Sequence, residues 1–169
     1  MSTESTTTLP TSAAASRAER REAGRAVREQ VPRGSFGEWS PPASRRDPLD
    51  VLGEQDADRV LELLPIRYGR MAQSPWTFLR GAAAVMAADL GPRPHTSLFA
   101  QLSGDAHLAN FGLFSAPDRR LLFDLNDFDE THPGPFEWDV QRLAASFVIA
   151  GRNRGFGAAE CSGLVDAVA

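Results

Sequence analysis

The sequence predicts an α+β fold that is mostly helical and contains one short β-hairpin. Two helix starts, each an N-cap followed by proline, occur at Asp47-Pro48 and Ser74-Pro75. Two short apolar runs, residues 111–114 and 121–125, flank the turn-forming sequence SAPDRR. Because the helical signals outnumber the strand signals, we expect the hairpin to sit on a helical scaffold.

The first 46 residues differ in composition from the rest of the chain. They are rich in Ser, Thr, Ala, Arg and Glu, with too little apolar surface to offset the entropy of ordering. We therefore predict that residues 1–46 are largely disordered, with a transient helix over residues 18–30. Phe36 and Trp39 are expected to pack on the domain formed by residues 47–169.

Charge and cysteine content restrict the class of protein. The net charge of −4 argues against a nucleic-acid partner or an anionic membrane, since both favour a basic face. Cys161 is the only cysteine, which is typical of a reducing compartment. The sequence also has no long apolar span and no signal-peptide core, so we predict a cytoplasmic location.

The helical pattern can be followed through the chain. One helix is predicted to run from Pro48 to just before Pro65, and a second from residue 76 to residue 90, closed by Gly91-Pro92. Residues 131–135 form a breaker segment. A helix over residues 136–150 then follows, with a predicted apolar buried face. That face consists of Val140, Leu143, Ala144, Phe147 and Val148.

A further helix is predicted to begin near Ala158 and to reach the last residue without a stop signal. This pattern is typical of a chain truncated at its C-terminus.

Polar residues cluster at one end of the predicted hairpin. Asp105 follows a β-rich run at residues 96–102, Asn110 precedes the first hairpin strand, and Asp127 follows the second. Antiparallel strands place their outer ends side by side, so these three side chains should converge. Carboxylate and amide oxygens suit Mg²⁺, and we predict a magnesium-phosphate site. Asp129 and Asp124 stay open as alternatives to Asp127, and turn chemistry would explain any one of these residues alone.

The spacing of these residues resembles a known catalytic segment. Asp105-Ala-His107-Leu-Ala-Asn110, followed by a hairpin and Asp127-Phe128-Asp129, is similar to the aminoglycoside phosphotransferase and choline kinase branch of the protein-kinase-like superfamily. The resemblance implies a kinase-like catalytic lobe that uses Mg²⁺ and ATP. Asp105 would orient the acceptor hydroxyl, and Asn110, Asp127 and Asp129 would be the candidate metal ligands.

Two further residues are predicted to support this loop. His107 is interpreted as a packing residue rather than a base. Asp139 lies beside the predicted apolar face of its helix, so its carboxylate needs hydrogen-bond donors, and the backbone amides of the catalytic loop are the expected ones.

The amino-acid sequence of a longer stretch is similar to the sequences of the bacterial family DUF2252. It includes the 104–130 segment, RYGRMAQSPWTFLRGAAAVMAADL before it and FEWDVQRLAAS after it, and the resemblance extends from about residue 30 to the C-terminus. In that family the chain continues into a glycine-rich segment and a strand that carries a lysine.

The function that the kinase-like resemblance implies is a Mg-ATP-dependent phosphotransferase acting on an unidentified hydroxyl acceptor. All 18 basic residues are arginine, so the lysine that normally holds nucleotide phosphates is missing and this chain alone is expected to be inactive. The alternatives are a catalytically inactive kinase-like binding module and, with less support, a metallophosphoesterase based on Asp105-Ala-His107. Arg67, Arg70 and Arg80 are candidate phosphate ligands, although the interpretation as surface or carboxylate-paired arginines is favoured.

Overall fold

The computed structural model of the chain describes residues 15–168. Helices α1 (Arg17–Gln30), α2 (Pro48–Asp56), α3 (Leu64–Met71), α4 (Pro75–Gly81) and α5 (Ala83–Leu90) come first. Strands β1 (Phe99–Leu102), β2 (Phe111–Ser115), β3 (Leu121–Leu125) and β4 (His132–Pro135) follow, and then α6 (Glu137–Asn153) and α7 (Ala158–Val168). The predicted α+β class and its helical character are confirmed.

Part of the segment predicted to be largely disordered contains a helix. Residues 1–14 lie outside the described residues, whereas residues 17–30 form α1. The Ser16 side chain accepts from the Glu19 backbone amide, and the Glu19 side chain accepts in return from the Ser16 backbone amide. This reciprocal capping satisfies two N-terminal amides that the helix itself leaves unpaired.

Both predicted proline-led helix starts are confirmed. The Asp47 carboxylate accepts from the Leu49 backbone amide at 2.7 Å, and Pro48 is the first residue of α2. Ser74 Oγ accepts from the Thr77 backbone amide at 3.1 Å, and Pro75 is the first residue of α4.

Both of these helices end earlier than predicted. The first ends at Asp56, and Pro65 lies in the first turn of α3, where proline is tolerated because its missing amide would be unpaired anyway. The second breaks at Ala82, with φ −124° and ψ 39°, which separates α4 from α5. The break lies where α4 packs on α3, since a Cβ at Gly81 would stand 2.6 Å from Met71 Sδ. Tertiary packing therefore overrides the helix propensity of the alanines.

The hydrophobic core lies between these short helices. Its buried members come from α2, from the ends of α3 and α5, and from the Ala82 break: Val51, Leu52, Met71, Ala82 and Val85. Tyr68, Phe78, Ala84 and Ala88 pack around them. In the described part of the chain, no helix has the length and apolar character needed to cross a bilayer.

The strands form two separate antiparallel pairs. The predicted hairpin is confirmed, with β2 paired to β3 from Phe111↔Leu125 to Ser115↔Leu121. The prediction of a breaker at residues 131–135 is wrong, because β4 pairs with β1 from Phe99↔Pro135 to Leu102↔His132. Two prolines are tolerated in β4 because it has a single partner strand and needs amide donors on one side only.

The buried face of α6 is also different from the predicted one. Of the predicted members, Val140 is 46% exposed and Leu143, Ala144, Phe147 and Val148 are only half-buried. The most buried side chains are instead polar, since Glu137 and Arg142 are 2% exposed and Ser146 is fully buried. This face is polar because it contacts a polar loop, as described below, rather than an apolar core.

The segment before α2 is attached to the domain through arginines. Arg93 donates to the backbone carbonyls of Ser35 and Glu38, both at 2.8 Å. Arg45 forms two 2.7 Å hydrogen bonds with the Asp89 carboxylate, and its guanidinium lies 5.4 Å from the centre of the Trp39 ring. These contacts place Trp39 against the domain although its side chain is 46% exposed.

Candidate active site

The loop between β1 and β2 contains one position, Gly104, at which only glycine fits. Gly104 has φ +83°, and a Cβ there would overlap the carbonyl oxygen of Glu130 and lie 2.8 Å from its carbonyl carbon. Only glycine combines this backbone conformation with so close an approach of another backbone. Gly104 therefore sets the backbone direction after β1 and with it the position of Asp105.

One face of α6 holds this loop in place. The Asp139 carboxylate accepts from the backbone amides of Ser103 at 2.7 Å and Gly104 at 3.1 Å. Ser146 Oγ accepts from the Leu108 amide at 3.0 Å and donates to the Leu143 carbonyl. Arg142, between these two residues on the helix, binds the Asp105 side chain. The spacing i, i+3, i+7 puts all three on one side of a helix.

The Asp105 carboxylate is held asymmetrically. Its Oδ1 accepts from Arg142 Nε at 2.7 Å and from Arg142 Nη2, which also donates to the Leu79 carbonyl at the end of α4. Its Oδ2 takes no part in these bonds and lies 3.6 Å from His107 Nε2. Burial raises the pKa of the Asp105 carboxyl, because desolvation outweighs the opposing attraction of Arg142 and His107.

His107 is buried beside this carboxylate, being 2% exposed. Its Nδ1 has no hydrogen-bond partner in the described chain, and the Trp76 ring packs edge-on with a centroid distance of 5.9 Å. Burial lowers the pKa of the imidazole, although the charge of Asp105 acts in the opposite direction. The neutral ring is therefore favoured, which agrees with a packing role.

Asn110 and Asp127 lie at the same end of the hairpin. The Asn110 side chain donates from Nδ2 to the Asp105 backbone carbonyl at 3.0 Å. The Asn110 backbone carbonyl accepts from the Asn126 backbone amide at 3.0 Å. Ser103 Oγ donates to the Asp127 carbonyl at 3.2 Å, so the chain on each side of the hairpin is tied to the loop. Asp127 and Asp129 are both exposed, and the Asp129 amide donates to Asp127 Oδ1.

These groups fit one kind of magnesium site. Among residues 15–168 no three His, Cys, Asp or Glu side chains are grouped to hold a metal ion by themselves. Mg²⁺ commonly takes one or two protein oxygens and completes its shell with substrate phosphates and water. The Asp127 carboxylate is exposed, as such a shared site requires, whereas Asn110 is 8% exposed and only its side-chain oxygen is left for a ligand.

Two of the three predicted phosphate ligands border a cavity next to Asp105. The cavity has a volume of about 180 Å³ and is lined by Arg67 and Arg80, together with Arg59, Asp105 and Glu130. Arg70 is exposed and lies outside the lining. The arrangement brings three arginines and the loop aspartate to the lining of one cavity.

Sequence reasoning missed Arg142, Ser146 and Arg59. The signal for the first two was present, since they continue from Asp139 at helical spacing on a polar stripe. For Arg59 the sequence contained no such signal, because its position next to Asp105 depends on how α2 packs against the rest of the domain.

The fold and site define an α+β protein in which a helix braces a loop that presents an arginine-bound carboxylate to a basic cavity. Residues 59–169 match the family described as "Uncharacterized protein conserved in bacteria (DUF2252)", and the chain belongs to this family. No curated protein and no solved structure matches the chain. The kinase-like resemblance therefore stays a prediction.

Proposed function

We propose that the chain carries the catalytic loop of a magnesium- and ATP-dependent phosphotransferase that acts on a hydroxyl acceptor. The observation that carries the proposal is the asymmetric binding of Asp105. Arg142 occupies Oδ1, Oδ2 takes no part in those bonds, and Asp105 lines a cavity large enough for a small group. A carboxylate held in this way can accept a hydrogen bond from an acceptor hydroxyl and orient its oxygen for attack.

The surrounding residues support that role. Asp139 fixes the loop backbone, and Arg142 fixes the rotamer of Asp105, so little reorganisation is needed when an acceptor binds. Asn110 and Asp127 are the residues that would hold Mg²⁺ together with the nucleotide phosphates. When bound, the ion would supply neutralisation of the charge that develops on the transferred phosphoryl group.

A kinase-like module that binds a nucleotide without transferring phosphate is the second candidate. It is favoured by the absence of lysine from the sequence. The phosphoesterase alternative gains no support, since two-metal sites need more His and carboxylate ligands than the described residues bring together.

The metal assignment can be tested with Mn²⁺-ATP, because the paramagnetic ion broadens the amide NMR signals of nearby residues even when binding is weak. We expect broadening around Asn110 and Asp127 in the unaltered chain, with loss of this effect in Asp127→Ala. Asp166→Ala, an exposed carboxylate on α7, is the matched control and should behave like the unaltered chain. Equal broadening in Asp127→Ala would contradict the metal assignment.

The role of Asp105 needs a turnover measurement. Asp105→Asn should keep the Mn²⁺-ATP broadening. In a chain extended by the glycine-rich segment and lysine-bearing strand that the family resemblance implies, the same substitution should lower ADP formation in the presence of mixed hydroxyl compounds by about 100-fold or more. Nucleotide binding without any ADP formation by that extended chain would favour the binding-module candidate instead.

A further inference from the structure

The cavity beside Asp105 has a chemical character that the proposed function does not yet explain. Its volume of about 180 Å³ is below the range of about 300–1,000 Å³ that is usual for a whole small-molecule ligand. Three arginines, Arg59, Arg67 and Arg80, contribute to its lining. A space of this size and composition suits a single anionic group rather than a nucleotide.

The arginines of the lining have hydrogen-bond donors to spare. Arg80 has no ion-pair or hydrogen-bond partner among residues 15–168. Arg67 donates from Nη2 to the Gly81 carbonyl at 2.6 Å, but its Nη1 is buried without an acceptor. The carboxylate oxygen Asp56 Oδ1 lies 3.9 Å from that nitrogen, too far for a hydrogen bond, and is itself unpaired. Both atoms are closed off from solvent and lie within ion-pair distance, so a ligand in the cavity does not reach Nη1. The donors open to a ligand are those of Arg80, with Arg59 beside it.

The carboxylates of the lining do not cancel the positive charge. Asp105 is bound by Arg142, which lies outside the lining. Glu130 is 3.9 Å from Arg59, and its side chain is 46% exposed, so this ion pair is loose and solvated. The protein as a whole carries a net charge of −4, which makes this basic cavity a local exception.

We propose that the cavity binds a phosphate group carried by the acceptor, so that the acceptor is a phosphorylated hydroxyl compound whose hydroxyl reaches Asp105 Oδ2. Guanidinium forks match phosphate oxygens in geometry and charge, and they remain protonated at all relevant pH values. The identification of the occupant as the acceptor rests on the proposed function, whereas phosphate binding by the three arginines does not.

Phosphate binding is tested first, with inorganic phosphate as the probe and without magnesium or nucleotide. Titration into the full chain at low ionic strength, followed by amide NMR, should show saturable shifts near Arg67, Arg80 and Asp105. Arg80→Gln and Arg59→Gln should each weaken this binding by about tenfold, as expected for the loss of a charged hydrogen-bond donor. Both side chains are exposed, so neither substitution should affect folding, and thermal unfolding checks this.

Arg70→Gln is the matched control, because it removes the same charge from an exposed arginine that does not line the cavity. Its affinity for phosphate should stay within twofold of the unaltered chain. Absence of saturable binding at millimolar phosphate would overturn the site. So would equal weakening by Arg70→Gln and Arg80→Gln, since that would reflect charge in general.

A second titration identifies the source of the phosphate group. Mn²⁺-ATP broadening around Asp127 should persist in saturating phosphate if the cavity serves the acceptor. Displacement of ATP by phosphate would overturn the acceptor assignment, because the cavity would then hold a nucleotide phosphate. If Mn²⁺-ATP fails to bind at all, the phosphotransferase proposal fails, and the phosphate titration alone still decides whether the cavity binds anions.

Discussion

Gly104 is the residue at which the candidate loop tolerates the least change. In Gly104→Ala the new methyl group would collide with the Glu130 backbone, and alanine would have to adopt φ +83°. We expect the free energy of unfolding to fall by about 3 kcal/mol or more. Urea denaturation measures the change. Gly53→Ala is the control, since Gly53 lies inside α2 with open space around it, and we expect it to raise stability by about 0.5–1 kcal/mol.

A single buried histidine should make stability depend on pH. Burial lowers the pKa of His107 below its ordinary value of 6.5, so the unfolded chain takes up a proton at a higher pH than the folded chain. Stability should therefore fall as pH decreases from 6.5 towards the lowered pKa, by up to about 1.4 kcal/mol per pH unit. Asp105, whose pKa is raised, works in the opposite sense, since its contribution is lost as pH rises above 3.8.

The comparison that isolates His107 is chemical denaturation of the unaltered chain and of His107→Gln at several pH values below 6.5. His107→Gln should have a smaller slope of stability against pH than the unaltered chain. An unchanged slope in His107→Gln would contradict the prediction.

At the level of secondary-structure elements, α6 acts as a brace for the loop. Asp139→Ala removes the acceptor of two backbone amides, those of Ser103 and Gly104. We expect a loss of about 1–3 kcal/mol in stability, because buried donors are left unpaired. Hydrogen exchange should also accelerate at residues 103–108 more than in α2. Val140→Ala, on the exposed side of the same helix, should change neither quantity appreciably, and equal effects of the two substitutions would refute the bracing role.

Elements that depend on local sequence rules were predicted correctly, whereas elements that depend on distant packing partners were not. The hairpin, both caps and the amide partners of Asp139 follow from local rules about turns, helix ends and buried carboxylates. The buried face of α6 was predicted only in part, because periodicity analysis assumes an apolar partner, whereas the most buried side chains of α6 contact a polar loop. The break at Ala82 and the strand β4 depend on packing and pairing partners distant in sequence, and single-sequence patterns do not reveal them.

For the molecule as a whole, the core extends beyond the part of the chain that matches the family. The match begins at residue 59, but α2 precedes it and contributes Val51 and Leu52 to the core, the latter fully buried. Asp56, at the end of α2, accepts a 2.6 Å hydrogen bond from the Tyr68 hydroxyl. Residues 47–58 are therefore part of the folding unit, while residues 33–46 pack on its surface through Arg45 and Arg93.

Truncation of the N-terminus tests this division. Removal of residues 1–46 loses the Arg45 to Asp89 pair, the Arg93 contacts and the buried Val27 side chain. We expect a cost of about 2–6 kcal/mol with cooperative unfolding retained. Removal of residues 1–58 also uncovers the space filled by Val51 and Leu52, worth about 1.5–3 kcal/mol each. Domain stabilities are only about 5–15 kcal/mol, so this shorter chain should show no cooperative thermal transition. Calorimetry on the two truncated chains decides the matter, because a sharp transition in chain 59–169 at the temperature of the full chain would show that α2 is dispensable.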